Sequence, residues 1–193
     1  MTKLLVVDDN EQNRYLLQAI LGSHGYAIML ASDGAEALKK AKAEPPDLVV
    51  TDILMPGMDG YSLCREWKGD ETLKKIPLVF YTATYTDPKD EEFALSLGAD
   101  CFIVKPQEPE VLLAKIEEVL EAQQSGRMTQ PRESELEETA YFKKYNETLI
   151  RKLEDKVEEL EATNALLERE IAERRRVTDD LVRVNRARAV ISE

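Results

Sequence analysis

The chain has 193 residues, of which 43% are hydrophobic and 33% charged, and its formal net charge is -12. Such an acidic chain is a poor candidate for nonspecific binding to nucleic acid or to an anionic membrane, because phosphate neutralisation requires clustered Lys and Arg. No apolar run reaches the roughly 18 residues of a membrane span, and a strand begins directly after the N-terminus without a signal peptide, so we expect a cytoplasmic protein. Cys64 and Cys101 lie in core-like segments and are expected to be reduced, buried thiols.

Residues 1–122 alternate short apolar runs with amphipathic stretches. In chain order, the runs predicted as strands are 3–7, 26–31, 47–51, 77–81 and 101–104. The stretches predicted as helices are 11–23, 34–43, 60–68, 88–97 and 108–122. Uniformly apolar strand segments such as Leu48-Val49-Val50 indicate burial on both faces, which is typical of a parallel sheet. The strict alternation predicts an α/β doubly wound domain with a five-stranded parallel sheet.

Charged and hydroxyl side chains follow four of these strands. Asp8 and Asp9 come after the first strand, Asp52 after the third, Thr82 after the fourth and Lys105 after the fifth. Ligands of open parallel sheets bind at the carboxyl ends of the strands, so we expect these groups to converge. Three neighbouring carboxylates repel one another unless a cation is bound. The pattern therefore predicts a site for a hard cation with a phosphoryl acceptor beside it.

A second region follows the first domain. Residues 123–133 are interpreted as a linker or the start of a helix, and 134–193 as a long helix, because Glu, Lys, Arg, Leu and Ala dominate and no Gly or Pro follows Pro131. A helix of this size is about 85–90 Å long at a rise of 1.5 Å per residue. A domain of about 120 residues cannot cover it, so we expect another partner.

Heptad spacing within this helix predicts that partner. The seam, defined as the positions spaced alternately by three and four residues, consists of Ile150, Leu153, Val157, Leu160, Asn164, Leu167 and Ile171. Its a positions are β-branched apart from one Asn and its d positions are Leu, which favours a parallel two-stranded coiled coil. Asn164 at an a position is expected to fix register and dimer state.

Flanking charges agree with a parallel register. Lys156 at g would face Glu161 at e of the partner helix, and Glu170 would face Arg175. Each exposed pair contributes only about 0–1 kcal/mol. The pairs therefore support the orientation more than the stability.

Beyond Ile171 the apolar positions shift by three residues. They are Val177, Leu181, Val184 and Ile191. Such a displacement is a stammer, which overwinds the supercoil locally. We expect the helix to be truncated before an output domain. The basic run 174–176 follows the heptads, whereas in bZIP proteins it precedes them, so no nucleic-acid binding is predicted.

The first domain resembles the receiver domain of two-component response regulators. The resemblance covers residues 1–122 and rests on Asp8-Asp9, Asp52, Met55-Pro56-Gly57-Met58-Asp59-Gly60, Thr82-Ala83, Phe102 and Lys105-Pro106. It implies a flavodoxin-like fold and phosphorylation of an aspartate by a histidine kinase or a phosphotransfer protein.

The expected roles follow from phosphoryl-transfer chemistry. Asp52 is the expected nucleophile and phosphorylation site, and Mg²⁺ neutralises charge during the transfer. We expect Mg²⁺ to contact Asp9, Asp52 and the carbonyl of Leu54 directly, and Asp8 through a water. Lys105 is expected to pair with Asp52 or its phosphate.

The resemblance also implies a switch. Thr82 would donate its hydroxyl to the phosphate and move inward, and Phe102 would fill the space that opens. Positions 54 and 84 influence hydrolysis in the family, and the apolar Leu54 predicts slow self-dephosphorylation.

Together these features predict a receiver, not itself an enzyme beyond its own phosphorylation and dephosphorylation, that relays its state through a homodimeric coiled coil to an output domain. An alternative from another class is a dimeric scaffold that is indifferent to phosphate. A third interpretation is that the whole protein is an enzyme whose catalytic domain lies outside this sequence.

Overall fold

The computed structural model describes residues 1–83, 88–125 and 160–176, and between the last two ranges the positions 143, 145, 146, 149, 150, 153 and 157. The chain divides into two compact units at Lys144 and Tyr145, which are treated separately below. Within the described residues, no helix has both the length and the apolar character needed to cross a membrane.

The first unit alternates strands and helices. The strands are β1 (Lys3–Val7), β2 (Ala27–Ala31), β3 (Leu48–Thr51), β4 (Leu78–Thr82) and β5 (Cys101–Val104). The helices are α1 (Glu11–Ser23), α2 (Gly34–Ala43), α3 (Gly60–Gly69), α4 (Pro88–Ser96) and α5 (Pro109–Gln124). The strands form one parallel sheet in the order β2-β1-β3-β4-β5. The predicted α/β fold with five parallel strands is confirmed.

Successive side chains along the strands alternate between the two faces of the sheet and form a hydrophobic core on each face. Val79 and Ile103 belong to the cluster that α1 and α5 cover, with side chains such as Leu17 and Ile116. Phe80, adjacent to Val79, points to the opposite face, as expected for neighbouring residues in a strand. There its ring lies 5.6 Å from that of Tyr61 in α3.

Polar side chains begin three of the helices. Asn10 accepts hydrogen bonds from two N–H groups of α1, Asp33 accepts one from α2, and Asp59 accepts one from α3. These caps satisfy N–H groups that have no partner inside a helix. They also fix where α1 and α3 begin, directly after the loops that follow β1 and β3.

The element boundaries differ from the prediction at a few points. Thr82 is the last residue of β4 instead of following the strand, because its carbonyl accepts a hydrogen bond from the Lys105 N–H and the pairing with β5 extends that far. α5 continues to Gln124, beyond the predicted end. Cys64 is buried, but Cys101 is only half-buried, and both are free.

In the second unit, residues 160–176 form a helix, α6, and the described positions before it from 145 onward are also helical. The large apolar side chains of the seam are between 49% (Leu167) and 65% (Leu153) exposed in the single chain. Predictions for residues 126–133, for Thr84, for Lys156 and for the displaced apolar positions from 177 onward lie outside the described residues.

Candidate functional site

The strand order reverses direction beside β1, whose neighbours are β2 and β3. In open α/β sheets, ligands bind outside the carboxyl ends of the strands at such a point. Asp8 directly follows β1, and Asp52 directly follows β3. The backbone N–H of Asp52 donates to the Val7 carbonyl at 2.8 Å, so the two strand ends are joined immediately before the acidic side chains.

Asp52 has both carboxylate oxygens engaged. Its Oδ1 accepts a hydrogen bond from the Ile53 N–H at 2.6 Å, and its Oδ2 lies 3.0 Å from Nζ of Lys105. The side chain keeps 13% of its surface exposed. It is therefore held in one orientation while remaining partly accessible to solvent.

Asp8 is the most buried carboxylate of the site, with a side chain that is 1% exposed. Its Oδ1 accepts from the Asn10 N–H at 2.9 Å, and its Oδ2 lies 2.6 Å from Nζ of Lys105. The amide Nδ2 of Asn13 lies 3.1 Å from Oδ1 and 3.2 Å from Oδ2. A buried charge is tolerated only when it is paired and hydrogen-bonded, and this carboxylate is both.

Lys105 follows β5 and inserts its ammonium between the two carboxylates. Its side chain is 12% exposed, and Nζ lies 5.1 Å from the centroid of the Tyr81 ring. Burial by itself would lower the Lys105 pKa, but the charges of Asp52 and Asp8 outweigh it and raise the pKa above its ordinary value. The amine is therefore a permanent cation at neutral pH.

Asp9, the second residue of the acidic pair, is exposed. The guanidinium Nη1 of Arg14 donates to the carbonyl of Asp9 at 3.0 Å and to that of Asp8 at 2.6 Å. Arg14 thus fixes the backbone of the acidic pair from the first turns of α1.

The loop between β3 and α3 closes one side of the site. Gly57 has a φ of +76°, a backbone conformation that favours glycine. A Cβ on Gly60 would overlap the Asp52 carbonyl and lie 2.8 Å from Cα of Ile53, so only glycine allows α3 to begin this close to the acidic strand end. Leu54, in the same loop, has a half-exposed side chain.

The two predicted switch residues lie on adjacent strands. Thr82 is fully buried at the end of β4. Phe102 is 7% exposed on β5, and its ring centroid lies 6.3 Å from that of Phe80. The Phe80 and Phe93 rings both contact Tyr61, so an aromatic cluster continues from β5 across the sheet face to α3 and α4.

The structure brings Lys105 into contact with both Asp8 and Asp52. It also places Asn13, Arg14 and Tyr81 beside these residues, and none of the three is predicted from the sequence as a site residue. For Asn13 and Arg14 the sequence contains a usable signal, because both lie within the first four residues of the helix that follows the acidic pair. An amide and a guanidinium there can turn back toward the strand end.

The donor set suits a hard cation. Carboxylate and carbonyl oxygens are the ligands that Mg²⁺ prefers, and the Lys105 ammonium shows that the space between Asp8 and Asp52 stabilises positive charge. In the described part of the chain, no three His, Cys, Asp or Glu side chains already form a cluster able to hold a metal ion.

Comparison with known proteins agrees with this geometry. Residues 4–117 match the response regulator receiver domain, and the chain belongs to this family. It is 42% identical over 122 residues to the alkaline phosphatase synthesis transcriptional regulatory protein PhoP of Bacillus subtilis, covering 61% of this chain and 48% of that protein. It is 40% identical over 115 residues to the response regulator PleD of Caulobacter vibrioides, covering 59% of this chain and 25% of that protein.

Solved structures show the same fold. The receiver domain of a signal transduction histidine kinase from Syntrophus aciditrophicus is 36% identical with a TM-score of 0.59, over 63% of this chain and 92% of that one. A CheY-like receiver domain protein from Methanospirillum hungatei is 30% identical with a TM-score of 0.61, over 65% of this chain and 98% of that one. The match to PhoP extends over about half of that protein's length.

Proposed function

We propose that this chain accepts a phosphoryl group on Asp52 from a histidine kinase or a phosphotransfer protein, in a reaction that requires Mg²⁺. The observation that carries the proposal is the ammonium of Lys105, which contacts Asp52 at 3.0 Å and Asp8 at 2.6 Å at the carboxyl end of the sheet. A fixed cation beside a partly exposed carboxylate is the arrangement that phosphoryl transfer needs, since the reaction depends mainly on positioning and charge neutralisation.

In the proposed reaction, a carboxylate oxygen of Asp52 forms a bond to phosphorus while the bond from phosphorus to the donor nitrogen breaks. The electron pair of that bond stays on the donor imidazole. The Ile53 N–H holds Oδ1 of Asp52, and Lys105 is placed to neutralise a phosphate oxygen. The Thr82 hydroxyl is proposed to contact the phosphoryl group.

Bound Mg²⁺ would supply charge neutralisation for the transferring group. Asp9, Asp52 and the Leu54 carbonyl are the proposed direct ligands, and Asp8 is proposed to act through a water. The burial of Asp8 and its three donors support this indirect role, because they leave little space for a direct metal contact.

The proposed switch uses the aromatic cluster. Movement of Thr82 toward a phosphoryl group would open space on β4, and Phe102 on β5 would turn into it. Phe102 already lies beside Phe80, so its displacement would disturb packing that reaches α3 and α4. We further propose that dephosphorylation is slow, because the half-exposed Leu54 side chain has no polar group to orient water.

We also propose that the seam pairs with a second copy of the chain in a parallel coiled coil and carries the signal onward. Its apolar residues are about half exposed or more in the single chain, and their 3-4 spacing matches the seam of such a dimer. The comparisons include transcriptional regulators and PleD, so the receiver match alone does not select an output.

The test is intact-mass measurement after incubation with acetyl phosphate, with and without Mg²⁺. The wild-type chain is expected to gain one phosphoryl group only with Mg²⁺, and Asp52→Asn none. Asp47→Asn, directly before the opposite end of β3, is the matched control and should be labelled normally. Absence of an adduct under every condition would favour the phosphate-independent scaffold.

A further inference from the structure

The side chain of Asn13 contacts both oxygens of the Asp8 carboxylate. Its Nδ2 lies 3.1 Å from Oδ1 and 3.2 Å from Oδ2, so a single amide faces the carboxylate across its width. The contact joins α1 to the end of β1, and Asn13 itself is half-buried. Among the described residues, no other side-chain amide donates to Asp8.

The local helix does not require this side chain. Asn10 is the N-cap of α1, and its own Oδ1 accepts from the N–H groups of Gln12 and Asn13. Asn is also a poorer helix former than Leu or Gln at an interior position. The amide at position 13 is therefore explained by its contact with Asp8 and not by a requirement of the helix.

Three donors make four contacts with the Asp8 carboxylate, two on each oxygen. Oδ1 accepts from Asn10 and Asn13, whereas Oδ2 accepts from Asn13 and Lys105. Two of these donors lie at the N-cap and in the first turn of α1, and the third is the ammonium of Lys105, which Asp8 shares with Asp52. Without Asn13, the carboxylate could turn about its last torsion angle, which is broad in Asp, and follow Lys105.

We propose that Asn13 is a positioning residue that holds the Asp8 carboxylate in the plane in which it faces the Asp52 site and thereby increases the affinity for Mg²⁺. The proposal rests on the proposed function, because it assigns Asn13 to the same cation site. Groups that orient the residues around a metal typically change its affinity by about 10–100-fold when they are removed. Asn13 acts through Asp8 and touches neither the phosphoryl group nor the cation.

The test compares three variants by calorimetric titration with MgCl₂ and by the rate of labelling with acetyl phosphate over a range of Mg²⁺ concentrations. Asn13→Leu replaces the amide with an apolar side chain of the same branching, and Asn13→Gln retains an amide on a longer side chain. Gln12→Leu, at the exposed neighbouring position, is the matched control. Far-UV circular dichroism and unfolding curves establish that each variant is folded.

We expect Asn13→Leu to raise the Mg²⁺ dissociation constant about 10-fold or more, with a labelling rate at saturating Mg²⁺ close to that of the wild type. Asn13→Gln should recover part of the affinity, and Gln12→Leu should bind as the wild type does. A folded Asn13→Leu variant with unchanged Mg²⁺ affinity would overturn the proposal. A wild-type chain that binds Mg²⁺ but is not labelled would refute the proposed phosphoryl transfer, and the affinity comparison would still decide the role of Asn13. A wild-type chain that binds no Mg²⁺ would overturn both proposals.

Discussion

Nζ of Lys105 lies 3.0 Å from Oδ2 of Asp52, although 53 residues separate the two in sequence. The contact exists because β3 and β5 are parallel strands of one sheet, so both residues reach the same edge. It is shared with Asp8, which makes one ammonium the common counterion of two carboxylates. Removal of that ammonium should affect stability as well as chemistry.

Lys105→Met should lower the free energy of unfolding by about 3 kcal/mol in Mg²⁺-free buffer, because it leaves two largely buried carboxylates without their cation. Added Mg²⁺ should reduce the loss, since the cation should bind the folded variant more tightly once the competing ammonium between Asp8 and Asp52 is removed. Urea unfolding with and without Mg²⁺ measures both effects. Lys39→Met, at an exposed position of α2, is the control, and equal stability of the two variants would contradict the prediction.

The stability of the folded chain should depend on pH through Glu36, which lies in the first turn of α2. Hydrogen bonds from Lys40 and from the N–H and hydroxyl of Ser32 lower the Glu36 pKa from its ordinary 4.5 to about 2. A depressed pKa stabilises the folded chain above the unfolded value, and this stability is lost as the pH falls from about 4.5 through 2.

Glu36→Gln should therefore be less stable than the wild type at pH 7, by about 1 kcal/mol or less because the side chain is partly solvated. The difference should shrink as the pH is lowered toward 2. Urea midpoints measured across this range test the sign. Glu66→Gln, an exposed substitution in α3, should show no such convergence, and a gap that widens at low pH would refute the assignment.

Gly60→Ala should destabilise the chain by about 1–3 kcal/mol, because the new methyl group meets the backbone of Asp52 and Ile53, which cannot move aside as a flexible side chain would. Gly69 ends the same helix, and a Cβ there meets nothing within 4 Å. Gly69→Ala should be neutral or stabilise by about 0.5 kcal/mol. Thermal unfolding of the pair measures the contrast, and similar losses for both would argue against the close approach at Gly60.

Leu166 and Leu167 provide a matched pair for the proposed dimer. Both are exposed in the single chain, at 66% and 49%, but only Leu167 belongs to the seam. Leu167→Glu should place a charge in the dimer core and shift the chain toward monomer, whereas Leu166→Glu should leave the dimer intact. Sedimentation equilibrium distinguishes the two. A monomeric wild type, or equal effects of the two substitutions, would contradict the parallel seam.

Much of the first unit could be predicted from local sequence. The bounds of β1, β5, α1 and α2 agree with their predicted ranges, because apolar runs and capping residues such as Asn10 and Asp33 are local signals. The sequence predicts that β4 ends at Tyr81, one residue before its observed end, since the hydrogen bond from the Lys105 N–H that extends the strand to Thr82 is not local.

The sequence by itself determined the order of strands and helices, because hydrophobic periodicity is a property of neighbouring residues. It also determined that acidic residues follow β1 and β3 and that a lysine follows β5. Only the tertiary structure decided that Lys105 contacts both Asp8 and Asp52, that Asp9 is exposed, and that the Asn13 amide contacts Asp8. Those outcomes depend on angstrom-scale distances between elements far apart in the chain. They are set by how strands pair and how α1 packs on the sheet, which residue spacing alone does not encode.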